Sequence, residues 1–332
     1  ANDPVPIASN ILVLGGAAKA AFSVSAEGTL CYLQGKDVTT ARLNWLDRKG
    51  NESGQIEDQS PFDTAVLSPD QRSIALTILD NQKIVRDLWI YDIDRRFKSR
   101  FTFDGADERY PVWSPDGRQL YFSSSRTGHY SVFRKPVNGS GPAELVLDTG
   151  KDLLVWAISP DGSTLLYSAT DDSTGNDVWA ADLTGQAEPR PVKISPNEDG
   201  AARFSPDGRW VSYWSMETGR GQVYLSPWPS LAFAQQVSTV SGAWAFWRAD
   251  GREIVYQDEA GKVFAVELAF DGDGVRIGPP TELFDHGTVK FSGPLLDFSA
   301  DGERLVAIQT VATDPPRFCD IVLGWPAKLA IP

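Results

Sequence analysis

The sequence predicts an all-β chain, a seven-bladed β-propeller of four-stranded blades, with six blades as the alternative. Three observations carry this. The tetrapeptide Ser-Pro-Asp-Gly recurs at 114–117, 159–162 and 205–208, with weaker copies beginning at Ser25, Ser68, Arg248 and Ser299. The seven starting positions are 43, 46, 45, 46, 43 and 51 residues apart, and a period of roughly 40–50 residues is that of a four-stranded blade. The flanks of each copy are β-branched and aromatic with Gly/Pro turns, which disfavours the helical repeats of similar length.

The tetrapeptide suits a type I turn, because Pro presets φ and the Ser side chain can cap the turn. It therefore joins two strands. A first strand enters it ("TAVLS", "YPVWS", "VWAIS", "AARFS", "LLDFS") and a second leaves it ("SIALTI", "QLYFSS", "TLLYSA", "WVSYWS", "RLVAIQ"). A third follows a polar loop ("RLNWLD", "DLWIYD", "YSVFRK", "NDVWAA", "GQVYLS", "KVFAVE", "DIVLGW"), and a fourth is often led by Pro. Read in this frame, the blades are 21–58, 63–103, 109–148, 153–195, 200–238, 243–285 and 294–326, in one domain of 332 residues. The seventh lacks a fourth strand. The opening segment "DPVPIAS" is expected to supply it, with residues 4–8 antiparallel to 320–325, because Pro4 and Pro6 confine such a strand to an outer position. That closure would cover an exposed edge.

Composition removes several function classes. A net charge of −13 argues against sequence-independent binding of nucleic acid, which needs a basic surplus, and against docking on anionic lipid. No run approaches the roughly 18 apolar residues of a membrane span. The chain begins at Ala1 and its only Met is Met216, so a processed or excised product is expected. Cys31 and Cys319 have no metal or redox spacing; two buried thiols or one disulfide both remain open.

No motif carries catalysis. There is no Gly-x-Ser-x-Gly elbow, Walker loop, dinucleotide fingerprint or kinase signature. His129 and His286 fall in separate units and read as surface histidines. Asp271 to Gly274 reads as a turn, because Val275 breaks the calcium-loop pattern. The acidic loop 171–177 reads as solvated rather than as a cation site. Neither metal nor cofactor is expected. Binding is expected at the channel mouth, where loops from all blades converge. Residues at the start of the first strands should line it: Arg109, Tyr110, Lys151, Asp152, Glu198, Asp199 and Trp244. The Ser-Pro-Asp-Gly turns should lie on the opposite face, in a purely structural role.

"AFSVSAEGTLCYLQG", "LNWLDRKG", "ERYPVWSPDGR" and "AARFSPDGRW" resemble the WD40-like repeats of TolB-type bacterial propellers, which makes the six-bladed alternative TolB-like. The nearer resemblance is to the C-terminal propeller of membrane-anchored bacterial serine/threonine kinases and winged-helix regulators, through Pro4-Val5-Pro6 and the tail around Trp325. The resemblance implies an extracytoplasmic, periplasmic or cell-surface module that senses or binds a protein or small ligand and is non-enzymatic in itself. It implies a monomeric domain with any kinase or DNA-binding part upstream. The alternative is a propeller enzyme, a lyase or hydrolase, with its site at the mouth.

Overall fold

The computed structural model describes residues 13–14, 19–20, 22–25, 29–32, 41–80, 83–272, 274–285, 296–310 and 320–323. Their regular structure is strand throughout, apart from one short 3-10 turn at Ser125–Thr127. Two compact units are distinguished: residues 42–309, and residues 1–41 together with 310–332.

Within the larger unit, four consecutive antiparallel strands make each of the first five sheets. Their innermost strands are Phe62–Leu67, Glu108–Trp113, Leu153–Ile158, Asp199–Phe204 and Ala243–Trp247. The fifth sheet carries an added strand, Gly274–Ile277, folded onto the far end of Lys262–Asp271 with Asp271 opposite Gly274, ahead of its fourth strand Thr281–Asp285. The sixth sheet is assembled from both ends of the unit, in the order Leu296–Phe298, Arg304–Thr310, Ala41–Asp47, Glu52–Ser60. Asp297 Oδ2 accepts the Leu67 N–H of the first sheet at 2.7 Å, and Arg48 bonds Glu253 of the fifth at 2.8 Å. The sixth sheet is thus bonded to both the first and the fifth.

The turns form as their residues dictate. Gly117, Gly162 and Gly208 adopt φ of 68°, 76° and 71°, and each donates its N–H to the Ser carbonyl three residues earlier at 2.8–2.9 Å. The Ser hydroxyl donates to the Asp carboxylate at 2.5–2.6 Å and accepts an N–H from the next strand at 2.9–3.0 Å. Between sheets the alternating apolar faces interlock. Leu120, Phe122 and Phe133 meet Ala75 and Leu88; Tyr121 and Val132 meet Val155, Leu165 and Tyr167; Leu166 and Val178 meet Ala202, Val211 and Tyr213. Each fully buried aliphatic or aromatic side chain contributes about 1.5–3 kcal/mol.

The pairing differs from the expected frame at both ends. Segment 21–58 is not one blade, because Ala41–Asp47 pairs with Arg304–Thr310 rather than with the strands at 22–32. Segment 294–326 is not one either, because Asp320–Leu323 pairs with Thr29–Tyr32, with Ile321 opposite Cys31. Phe22–Val24 completes that three-stranded sheet in the smaller unit. The reason is local. Asp47 accepts the N–H groups of Lys49 and Asn51 at 2.8 and 2.9 Å, locking a hairpin between Ala41–Asp47 and Glu52–Ser60. That hairpin carries the fully buried Leu43 and Leu46, and Asn44 donates to Gln309 at 2.5 Å. A repeat period does not reveal where the frame is cut. The expected closing strand 4–8, and Cys319 with any disulfide, lie outside the described residues.

Candidate functional site

The innermost strands share an irregularity. Register shifts fall between Phe62 and Thr64, Arg109 and Val112, Val155 and Ala157, Gly200 and Arg203, and Ala243 and Phe246. A bulge re-aims a side chain. Here it places Tyr110, Ala201 and Trp244 at φ of 53°, 49° and 50°, a left-handed region that costs a bulky residue on the order of 1 kcal/mol or more. The bulged residues meet as a layer. Tyr110 lies 5.1 Å from Trp156 between ring centroids, and Trp156 lies 6.0 Å from Trp244. Trp156 belongs to the third sheet and Trp244 to the fifth, and the small Ala201 stands on the fourth between them. The Trp156 indole N–H is satisfied by Ser168 at 2.7 Å, so it is the faces of the rings that remain for contact.

Against this layer lies a cavity of about 340 Å³. It runs from the bulges to the prolines of the turns, Pro69, Pro160 and Pro206, with Phe246 and Trp247 in its wall. Two charged residues line it, Arg203 and Asp297. The guanidinium carbon of Arg203 lies over the Phe246 ring, 4.4 Å from its centroid, and the group has neither hydrogen-bond acceptor nor ion-pair partner among the described residues. Asp297 receives backbone N–H groups on both oxygens, Leu67 at 2.7 Å and Phe298 at 2.9 Å. Both residues are half-buried, because the cavity is open beside them. Protein nonetheless surrounds them closely enough for burial to set their titration. Burial pushes the Asp297 carboxyl up, opposed by the charge of Arg203, and lowers Arg203, opposed by Asp297. The site can therefore offer a fork of unused donors, a carboxylate acceptor and an aromatic surface.

Of the residues expected at the mouth, the structure brings two together here, Tyr110 and Trp244. The other five do not line the cavity. Arg109 pairs with Asp107 at 2.6 Å beneath the Tyr130 ring. Lys151 pairs with Asp171 at 2.6 Å, Asp152 accepts the Tyr130 N–H at 2.7 Å, and Glu198 accepts from Asn176 at 2.8 Å. Asp199 is buried, takes the Ser195 hydroxyl at 2.8 Å, and has its carboxyl pushed up by burial. At the strand starts each of these charges is met by a local partner, and the open cavity lies toward the turns instead. The turns expected on a purely structural face supply part of its wall.

A signal for Arg203 and Asp297 was present in the repeat. The position two before the turn residue reads Val66, Val112, Ala157, Arg203, Phe246 and Asp297 in the six sheets. Four are apolar and two are charged, with opposite signs. The acidic loop bonds internally, Asp171 to Ser173 and Asp177 to Thr174, and His129 meets Asp148 on the surface at 2.7 Å. Among the described residues no three His, Cys, Asp or Glu cluster as a metal site, and no helix is long and apolar enough to cross a membrane.

No protein-family model matches the chain. An uncharacterised protein of Agrobacterium fabrum is 34% identical over 104 residues, covering 31% of this chain and 34% of its own length. Tricorn protease homolog 1 of Streptomyces coelicolor is 24% identical over 250 residues, which is 72% of this chain and 23% of the relative. The chain thus spans about a quarter to a third of the length of these relatives. Among solved structures, a TolB-like protein of Agrobacterium tumefaciens superposes with a TM-score of 0.66 at 18% identity, covering 82% of this chain and 99% of that one. TolB of Acinetobacter baumannii gives 0.51 at 15% identity, covering 87% and 78%. An oligogalacturonate lyase in complex with manganese gives 0.53 at 14% identity, covering 88% and 96%. The all-β sheets around an aromatic-lined cavity, together with these likenesses, establish a TolB-like β-propeller fold.

Proposed function

We propose that residues 42–309 form a non-catalytic binding module, a six-bladed ring whose last blade is completed by residues 41–60, with its site in the central cavity. We read it as the extracytoplasmic part of a larger bacterial signalling protein, in the place that its resemblance to kinase-borne and regulator-borne propellers implies, and as a monomeric domain. The observation that carries the reading is the aromatic layer of Tyr110, Trp156 and Trp244. Two of its three members sit in left-handed backbone, and strain of that kind is retained where the surrounding structure holds it for a purpose. The short share of each curated relative that the chain covers is consistent with a module of a longer protein.

A thermal-shift screen of small molecules and short peptides tests this, comparing the chain with a Trp156→Ala, Trp244→Ala double variant. A compound that raises the melting temperature of the unaltered chain is expected to lose most of its effect in the variant. Equal shifts in both would move the site out of the cavity.

A second reading, a lyase on acidic sugars, is favoured by one observation. Arg203 and Asp297 share the cavity, and a lyase needs a cation to neutralise a uronate and a base to take its proton. Oligogalacturonate incubated with the chain would then yield ultraviolet-absorbing unsaturated product, lost in Asp297→Asn. An absence of product returns the site to binding alone.

A further inference from the structure

Arg203 is placed against the pattern of its own repeat. Packing at its position is met by Val66, Val112 and Ala157 in other sheets, so the space does not demand a guanidinium. Arg203 brings five N–H donors into a half-buried wall, and none finds an acceptor among the described residues. None of its nitrogens is sealed away from solvent, so these unused donors stay within reach of a ligand in the cavity. The guanidinium carbon lies over the Phe246 ring, 4.4 Å from its centroid, a contact that leaves the N–H donors unused. Arg receives a carboxylate through two parallel hydrogen bonds from such a fork of donors.

Asp297 limits the choice of anion. It lines the same cavity, so the two charged walls sum to zero. A dianion such as a phosphate monoester would gain one cation and face one carboxylate. A monoanion with a hydrogen-bond donor next to its charge meets both walls favourably, its anion at Arg203 and its donor at the spare lone pairs of Asp297. A volume of about 340 Å³ lies at the small end of ligand pockets. The aromatic layer and the three prolines offer the remaining surface to an apolar group.

We propose that this cavity binds a small α-amino or α-hydroxy carboxylic acid: Arg203 takes the carboxylate, Asp297 takes the neighbouring ammonium or hydroxyl, and the side chain lies on Tyr110, Trp156 and Trp244. The proposal rests on the cavity being the binding site, and it adds the ligand's chemistry.

The test is isothermal titration calorimetry on the full chain, preceded by a thermal-shift screen of the free L-amino acids and their α-hydroxy analogues at millimolar concentration. At least one free acid is expected to bind. Its primary amide, which lacks the carboxylate, should bind at least tenfold more weakly, and so should the free acid to Arg203→Gln. Arg203→Lys should recover part of the loss. For Asp297→Asn the free amino acid should weaken at least fivefold, whereas its N-acetyl derivative, already weak, should be little changed. Which of the two acid series binds identifies the donor. Circular dichroism melting of each variant checks that folding is retained, and the ratio of acid to amide affinity in the unaltered chain needs no variant at all. The proposal is overturned if no free acid binds, if acid and amide bind alike, or if Arg203→Gln leaves affinity unchanged. A neutral compound that binds, is lost in the Trp156→Ala, Trp244→Ala variant and ignores Arg203→Gln would overturn this chemistry while leaving the cavity as the binding site.

Discussion

Asp161 shows how much one turn residue does. Its Oδ1 accepts the Ser159 hydroxyl at 2.5 Å and the Ser163 N–H at 3.0 Å. Asp70, Asp116 and Asp301 repeat the pattern with Ser68, Ser114 and Ser299 at 2.5–2.6 Å. In all four the Ser hydroxyl first, and then a backbone N–H, holds the carboxyl below the ordinary carboxylate range. The sign follows from linkage. A depressed folded-state value means the folded chain binds fewer protons than the unfolded one near pH 4, so the contribution is full above the unfolded value of about 3.9. It is lost as pH falls through the depressed values. Melting temperature should therefore decline steeply below about pH 4, and a variant with all four residues changed to Asn should show a shallower decline from a lower plateau. An unchanged slope would assign the acid sensitivity to other carboxylates. These turns were legible in the sequence because their bonds are local. Arg203 and Asp297 were not singled out, because nothing within a few residues of either marks it. Each stands out only when the inner strands are superposed, and the two share a cavity only in the folded chain.

At the scale of the strand, the bulge in each innermost strand is what aims the aromatic layer. Its energetic cost can be read at Ala201, the left-handed residue with the smallest side chain, beside the fully buried Ala202. Ala201→Gly should relieve about 1 kcal/mol of backbone strain while forgoing about 0.8 kcal/mol of methyl burial and about 0.4–1 kcal/mol through added freedom of the unfolded chain, and so cost under about 1 kcal/mol. Ala202 has no positive φ, and Ala202→Gly should cost about 1–2 kcal/mol through lost burial and added freedom of the unfolded chain. Urea denaturation of the two variants makes the comparison; equal losses would mean that the bulge at 201 is unstrained. Strand existence in the first five sheets was legible from alternation between turns, as in "QLYFSS" and "TLLYSA". The bulges were not, because Tyr110 and Trp244 are residues that disfavour positive φ. The bulged pairing and the ring contacts of the layer are what accompany that conformation, and neither is local in sequence. Sequence reading accordingly named Tyr110 and Trp244 for their place near the strand starts and missed Trp156, which completes the layer.

At the scale of the whole chain, the repeat was legible but its frame was not. Seven turn motifs suggested seven like units, yet the strand Ala41–Asp47 finds its partner at Arg304–Thr310, more than 250 residues away. Local alternation says that "RLNWLD" is a strand and says nothing about which edge it joins. The pairing has a consequence for what the chain can lose. The hairpin 41–60 fills two of four places in the sixth sheet, buries Leu43 and Leu46, and ties that sheet to the fifth through Arg48 and Glu253 at 2.8 Å. Without it, Arg304–Thr310 would present an unpaired edge along a strand whose Leu305, Val306, Ala307 and Ile308 are all fully buried, a template for association. A fragment spanning 41–310 retains all six of these sheets, so it is expected to fold with a cooperative thermal transition and to remain monomeric in sedimentation. A fragment spanning 61–310 is expected to lose at least the roughly 2–5 kcal/mol that truncating a single buried Leu costs, a large part of the 5–15 kcal/mol that holds an ordinary domain together. It should melt far lower or associate through the bared edge. Leu43→Ala within the 41–310 fragment gives the graded version, with a loss of about 2–5 kcal/mol in urea. Should 61–310 melt cooperatively at the temperature of 41–310, the hairpin would be an ornament on the sixth sheet, and the hold of that sheet on its neighbours would have to rest on Leu296–Phe298 and Arg304–Thr310 alone.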